Sequence, residues 1–394
     1  MEGWKSYKLS DVAYLTTGFP FDGHKYAKEG IRVVRGDNVT IGSLRWDTDK
    51  DKRWNEPFSR ADEFTLQDGD IVIGMDGSRV GKNRALISKA DLPLLIAQRV
   101  ACIRHKDISC QEFLYYQIFS ERFVEYIKAV QTGTSIPHVS LKQIGDYPIL
   151  LPSIDEQIRI ARVLRSLDDK IVLNNRINHN LEEQTQTLYK SWFIDFLPFS
   201  DCRLINSEIG PIPEGWSVTN LLDVASLYDS KRKPLSGKER DQMAKRYPYY
   251  GATSVMDYVD NYIFDGTYLL MGEDGSVMTE NGFPYLQYVT GKFWPNNHAH
   301  IMQGKNGFST ELLHCALLRK VIKPSVTGAV QAKISQANMR KILFPCPPKT
   351  ILREFDTIIQ KIYDEKRSIK SQNSTLSMIR DNMLPQLMSG QITI

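Results

Sequence analysis

The chain is 394 residues long, with 42% hydrophobic and 24% charged residues, and 50 Lys and Arg against 46 Asp and Glu leave a net charge of +4. That is room for two or three domains at roughly 100–200 residues each, too apolar for wholesale disorder, and too nearly neutral for net charge alone to mark a nucleic-acid binder. Five cysteines, at 102, 110, 202, 315 and 346, show no zinc spacing and no disulfide framework, which points to a reducing compartment. The opening Met1-Glu2-Gly3-Trp4-Lys5 carries no apolar signal region, and no apolar run approaches the ~18 residues of a membrane span.

Residues 1–151 read as a β-rich α+β domain. Gly3-Trp4, Leu9 and Asp11-Val12-Ala13 open it, and Ile31–Val34, Ile71–Ile73 and Ala101–Ile103 are strand-like runs set between Gly, Asp and Asn. A helical stretch is predicted from Glu112 to Ala129. Polar side chains gather where loops are expected: Arg35, Asp37 and Asn38; Ser78, Arg79, Lys82 and Arg84 around the turn Asp76-Gly77-Ser78; and Gln98. After Thr132-Gly133 come Thr134, Ser135 and His138. Lys and Arg on such loops reach phosphates, and Arg, Asn, Gln and Asp reach base edges.

Residues 152–197 read as one long helix. Ser153, three residues before Glu156, has capping-box spacing. Leu164, Ile171, Asn178, Thr185 and Trp192 then recur every seven residues, and Ile160, Leu167, Asn174, Leu181 and Leu188 do so at an offset of three or four. That is a heptad seam. Its polar members, Asn174 and Asn178, weaken pairing while fixing register.

A linker at 198–213 leads to a second β-rich domain, 214–347, which repeats the first. Gly215-Trp216, Leu221 and Asp223-Val224-Ala225 match the opening, Asp274-Gly275-Ser276 matches the turn, and Thr327-Gly328 and Ser335 match Thr132-Gly133 and Ser140 at the same spacing. Tyr268–Met271 is strand-like, and a helical stretch is expected near Thr310 to Val321. The loop candidates here are Lys231, Arg232, Lys233, Tyr250, Ser254, Ser276, His298 and Gln331. Residues 348–394 form the second long helix and tail. Its predicted seam is Phe355, Ile362, Ile369, Leu376 and Met383 with Ile358, Glu365, Gln372 and Ile379, ending at Pro385. The architecture expected is α+β: two tandem β-rich domains and two long helices pairing as an antiparallel coiled coil, with approximate two-fold symmetry.

Enzyme signatures are absent. No phosphate-cradling loop of Walker spacing occurs, no Gly-x-Gly-x-x-Gly and no Gly-x-Ser-x-Gly. His298 and His300 are the only close histidine pair and lack matching ligands, so no metal site is assigned. Asp168 to Lys170 and Asp364 to Lys366 form two Asp-x-Lys strings that echo half a nuclease motif; on the long helices they read as solvated positions. The residues favour a binder or scaffold. A stand-alone DNA methyltransferase with diverged motifs and a coiled-coil scaffold with no DNA role remain as alternatives.

The order of features closely resembles the specificity subunits of type I restriction–modification systems. The resemblance spans the chain. It is carried by Asp155-Glu156-Gln157, by Leu188-Tyr189-Lys190-Ser191-Trp192-Phe193, by the bridge Gly210-Pro211-Ile212-Pro213-Glu214-Gly215-Trp216, and by the close Leu384-Pro385-Gln386-Leu387-Met388-Ser389-Gly390. One departure is visible: Lys349-Thr350-Ile351 follows Pro347-Pro348 where a Glu-Gln pair is expected. The resemblance implies two target-recognition domains, each reading half of a split, asymmetric site on double-stranded DNA. It implies helices that act as spacer and as dock for two methyltransferase (modification) subunits and, in systems that have them, restriction subunits. It also implies a non-catalytic chain in the prokaryotic cytoplasm, with S-adenosylmethionine, ATP and Mg on the partner subunits.

Overall fold

The computed structural model describes residues 3–58, 60–133, 135–328 and 331–394. The chain forms two compact units, Met1–Leu173 with Asn373–Ile394, and Asn174–Gln372. The units do not follow linear order. Each combines one β-rich domain with part of both long helices, Ile154–Phe193 and Lys349–Met388.

The first unit is built on an antiparallel sheet in the order Ala13–Thr17, Val100–His105, Ile71–Gly74, Arg84–Leu86. Every residue of Ile71–Gly74 is buried because both faces of that strand are covered. Ile71 and Ile73 join Phe113, Leu114 and Ile127 from the flanking helices, while Val72 joins Leu94 and Ile96 of a second, three-stranded sheet. Lys5–Lys8 pairs with Pro148–Leu151 and closes the domain.

The second unit repeats this plan. Ala225–Leu227, Ala299–Gly304, Phe264–Gly272 and Leu286–Pro295 take the same order, and the pair Tyr247–Tyr250 and Val255–Val259 extends the sheet. Ser217–Asn220 with Leu343–Cys346 is the counterpart of the closing pair. The duplication read from short motifs is therefore a duplication of topology.

Several helix boundaries differ from expectation. The single stretch from Glu112 to Ala129 is two helices, Gln111–Ile118 and Glu121–Val130, because Ser120 interrupts it and caps the second by accepting from Phe123 N–H at 3.3 Å. The stretch near Thr310 stops at Leu318. Pro385 lies inside the second long helix instead of ending it, within its last turn. That helix starts at Lys349 despite lacking the acidic pair.

Within each unit the two long helices run antiparallel. In the first, Ile160, Ala161 and Leu164 share a core with Leu387 and Met388, and Asp168 meets Arg380 at 2.7 Å. In the second, Phe193 packs edge-on to Phe355 with ring centroids 4.8 Å apart, and Glu182 meets Lys366 at 3.0 Å.

The predicted seam of the second helix needs correction. Ile358, Glu365, Gln372 and Ile379 are exposed. The inward line one residue further on is Ile359, Lys366, Asn373, Arg380 and Leu387, all buried or half-buried, beside Phe355, Ile362, Ile369, Leu376 and Met383. In the first helix Leu164 and Asn174 are buried, and Leu167, Ile171, Asn178, Leu181 and Leu188 are half-buried. Asp168 and Lys366, expected to be solvated, are half-buried and paired. Opposite charges on the facing helix let cations occupy the inward line.

Candidate nucleic-acid interface

In the first unit the buried strand Ile71–Gly74 leads into Asp76-Gly77-Ser78. Gly77 has φ +101°, which a side chain rarely tolerates, and its N–H donates to the Pro137 carbonyl at 2.9 Å. Thr132 and His138 exchange backbone hydrogen bonds of 2.9 and 2.8 Å and close a short loop over this turn. Gly133 is required there: at φ +88°, a Cβ would sit 2.4 Å from the Ile136 carbonyl oxygen.

The second unit builds the same pair of loops from different residues. Gly275 N–H donates to the Ala332 carbonyl at 2.9 Å, and Thr327 and Lys333 exchange bonds of 2.8 and 2.7 Å. Each unit therefore presents a strand-end turn laced by backbone hydrogen bonds to a Thr-Gly loop, a platform with polar side chains beside it.

On the first platform, the Asp76 carboxylate holds the His138 ring and lies 3.5 Å from Arg99 Nε. Ser78, Arg79, Lys82, Gln98 and Ser135 are exposed beside or near these loops; Thr134 lies outside the described residues. On the second, Asp274 holds His298 Nδ1 at 2.5 Å, and Ser276 and Gln331 are exposed. Asn296 ties the neighbouring strand in, since its backbone N–H donates to the Tyr250 carbonyl at 2.9 Å and its side chain accepts from His298 N–H at 2.8 Å. Lys231, 5.3 Å above the Tyr228 ring, and Lys233 are exposed on the loop anchored by Arg232. Ser254 is exposed in the turn between Tyr247–Tyr250 and Val255–Val259. Tyr250 is half-buried edge-on to Phe293, and burial raises its pKa.

Three candidates are corrected to structural roles. Asn38 is fully buried, donating to the Arg45 and Lys50 carbonyls at 3.1 and 3.0 Å and accepting from Arg35 N–H. Arg84 is buried, donates to the Gly81 and Phe119 carbonyls at 2.8 and 2.9 Å and stacks on Phe119; burial pushes its pKa down to about 10. Arg232 is directed inward at Glu273 and the Ala299 carbonyl. Asp37 is engaged by Arg35 and Lys50, each at 3.1 Å, and Arg35 is half-buried. Asp76, Asp274 and Arg99 were missed as site residues. The aspartates read only as turn residues, and nothing in the local sequence pairs them with a histidine 62 or 24 positions away.

These platforms offer cations, amides, hydroxyls and imidazoles on backbone-laced loops. That is the chemistry of recognition: phosphate contacts to position and base-edge contacts to specify. Two such platforms, one in each unit, suit a DNA-recognition protein. The family model described as the type I restriction modification DNA specificity domain matches residues 1–183 and 213–375, and the chain belongs to this family. It is a non-catalytic specificity subunit.

Relatives agree. The chain is 25% identical over 326 residues to the type I restriction enzyme MjaIX specificity subunit of Methanocaldococcus jannaschii, covering 78% of this chain and 75% of that one. It is 22% identical to the HindI specificity subunit of Haemophilus influenzae over the full length of both. The crystal structure of the type I restriction–modification S subunit from M. genitalium has the same fold, with TM-score 0.58 at 18% identity and coverage of 98% and 96%. No helix among the described residues is long and apolar enough to cross a membrane.

Proposed function

We propose that the chain reads an asymmetric, bipartite site on double-stranded DNA, one half through each two-loop platform, while the long helices set the spacing and dock two modification subunits. One observation carries this reading. The platforms share a backbone frame but carry different side chains, with exposed Arg79, Lys82, Gln98 and Ser135 and half-buried His138 on one and exposed Lys231, Lys233, His298 and Gln331 on the other. Equal frames carrying unequal side chains suit two different half-sites.

A 40-residue helix is about 60 Å long at ~1.5 Å per residue. With ~34–36 Å per DNA turn, half-site centres one to one and a half turns apart fit such a spacer. Docking is supported by apolar side chains exposed on the helices, among them Ile158, Val172, Leu173 and Met378. In this reading S-adenosylmethionine, ATP and Mg are held by the partner subunits in a prokaryotic cytoplasm, and restriction subunits join where the system has them. Mapping methylated adenines in the host with and without this chain tests it. A split asymmetric motif that vanishes on deletion is expected; an unchanged methylation pattern overturns the proposal.

A further inference from the structure

Behind the second platform lies a charged network, two of whose strand positions are apolar in the first. Arg232, whose side chain is 14% exposed, donates from Nη1 to Glu273 Oε2 at 2.6 Å and to the Ala299 and Asn297 carbonyls at 2.8 and 3.2 Å, and from Nε to the Asp229 carbonyl at 3.0 Å. His300, 2% exposed, places Nδ1 2.6 Å from Asp229 Oδ2 and Nε2 2.9 Å from the Ile334 carbonyl. Asp229 also accepts from Gln336 Nε2 and Ile301 N–H, both at 2.9 Å.

The strand register identifies the equivalent positions in the first unit. Gly272 pairs with Ala299 and Met271 with His300, as Gly74 pairs with Val100 and Ile73 with Ala101. Where the second unit has Glu273 and His300, the first has Met75 and Ala101, both buried and apolar. One platform rests on hydrophobic contact and the other on ions. Ligand-type atoms of Asp229, Glu273 and His300 lie within 4.8 Å of one another, close enough for a divalent cation. The Arg232 guanidinium already supplies the positive charge at Glu273.

We infer that Arg232, Asp229, Glu273 and His300 are positioning residues for recognition by the second domain. They tie together four segments that carry its exposed polar groups: the loop at 229–233, the turn after Gly272, the entry to Ala299–Gly304 and the loop leading to Gln336. The planar guanidinium reaches one carboxylate and three carbonyls at once, a geometry an ammonium cannot reproduce. Losing it leaves Glu273 half-buried without its guanidinium partner and frees the loop bearing Lys231 and Lys233. The inference rests on the proposed reading that each domain addresses one half-site.

The test uses the full chain assembled with its modification subunits and duplexes altered in one half-site or the other. Binding discrimination is measured for the parent, Arg232→Lys, Glu273→Gln, and two reference variants, Arg79→Ala in the first domain and Gln331→Ala in the second. Both network variants are expected to lose about tenfold discrimination, the worth of one poorly read base pair. The loss should fall at the half-site that Gln331→Ala weakens, leaving the Arg79→Ala half-site unchanged, which also shows the protein is folded. Equal loss at both half-sites, or no loss at either, overturns the inference. A parent complex that discriminates at neither half-site overturns the underlying reading itself.

Discussion

Arg380 and Asp168, 212 residues apart in the chain, meet through an Nη1···Oδ1 contact of 2.7 Å. Asp168 also accepts from the Tyr116 hydroxyl at 2.7 Å. One carboxylate thus joins a helix of the first domain to both long helices. Burial and the adjacent Asp168 hold the Tyr116 phenol protonated by raising its pKa.

Arg380→Ala should destabilise the first unit by ~1–3 kcal/mol, because it removes the cation from a half-buried carboxylate. Asp168→Asn should cost less, since the amide oxygen still accepts from Tyr116. A double-mutant cycle read by urea denaturation should give a coupling of about 1 kcal/mol; additive effects would mean that the pair is solvated.

His314 makes stability depend on pH. It is buried, with Nδ1 2.6 Å from the Tyr363 hydroxyl, and burial followed by nearby Lys366 pushes its pKa down to about 4. The folded value lies below the unfolded value of ~6.5, so the unfolded chain takes the proton first. Its contribution is complete above pH ~6.5 and is lost as pH falls from there to about 4. The loss is on the order of 3 kcal/mol. His314→Gln should flatten the denaturation midpoint across that window; an undiminished slope would place the titration elsewhere.

Arg79 and Arg84 are five residues apart and should behave oppositely. Arg79→Ala should change stability by less than about 0.5 kcal/mol and weaken DNA binding with lost sequence discrimination at the half-site that the first domain addresses. Arg84→Ala should lower the melting temperature, since it uncaps one buried and one half-buried carbonyl. Thermal melts and binding to duplexes altered in one half-site or the other separate the two.

Removing one heptad from each long helix should leave both half-sites intact and shorten the accepted spacer. Seven residues span ~10 Å, or about three base pairs at ~3.4 Å each. A variant that still demands the original spacing would refute the helices as a ruler.

Local patterns carried much of this molecule. The repeated Gly-Trp, Asp-Gly-Ser and Thr-Gly motifs marked two copies because each stands where the backbone needs a special conformation, as Gly133 and Gly328 do. Apolar runs such as Ile71–Ile73 marked strands because burial on both faces demands it. Helix breaks were less legible: Ser120 reads equally as a surface residue or a cap, and only the fold decides.

The chain by itself determined the duplication, the β-rich domains and the two long helices, since these follow from nearest-neighbour spacing and periodicity. What faces what was decided only in three dimensions. Lys366 and Asp168 looked like solvent positions until Glu182 and Arg380 stood opposite them, and Arg232 and Arg84 looked like DNA contacts until they were found directed inward at carbonyls. A charge can be buried only when a distant partner offsets its lost hydration, and that partner is chosen by the tertiary fold.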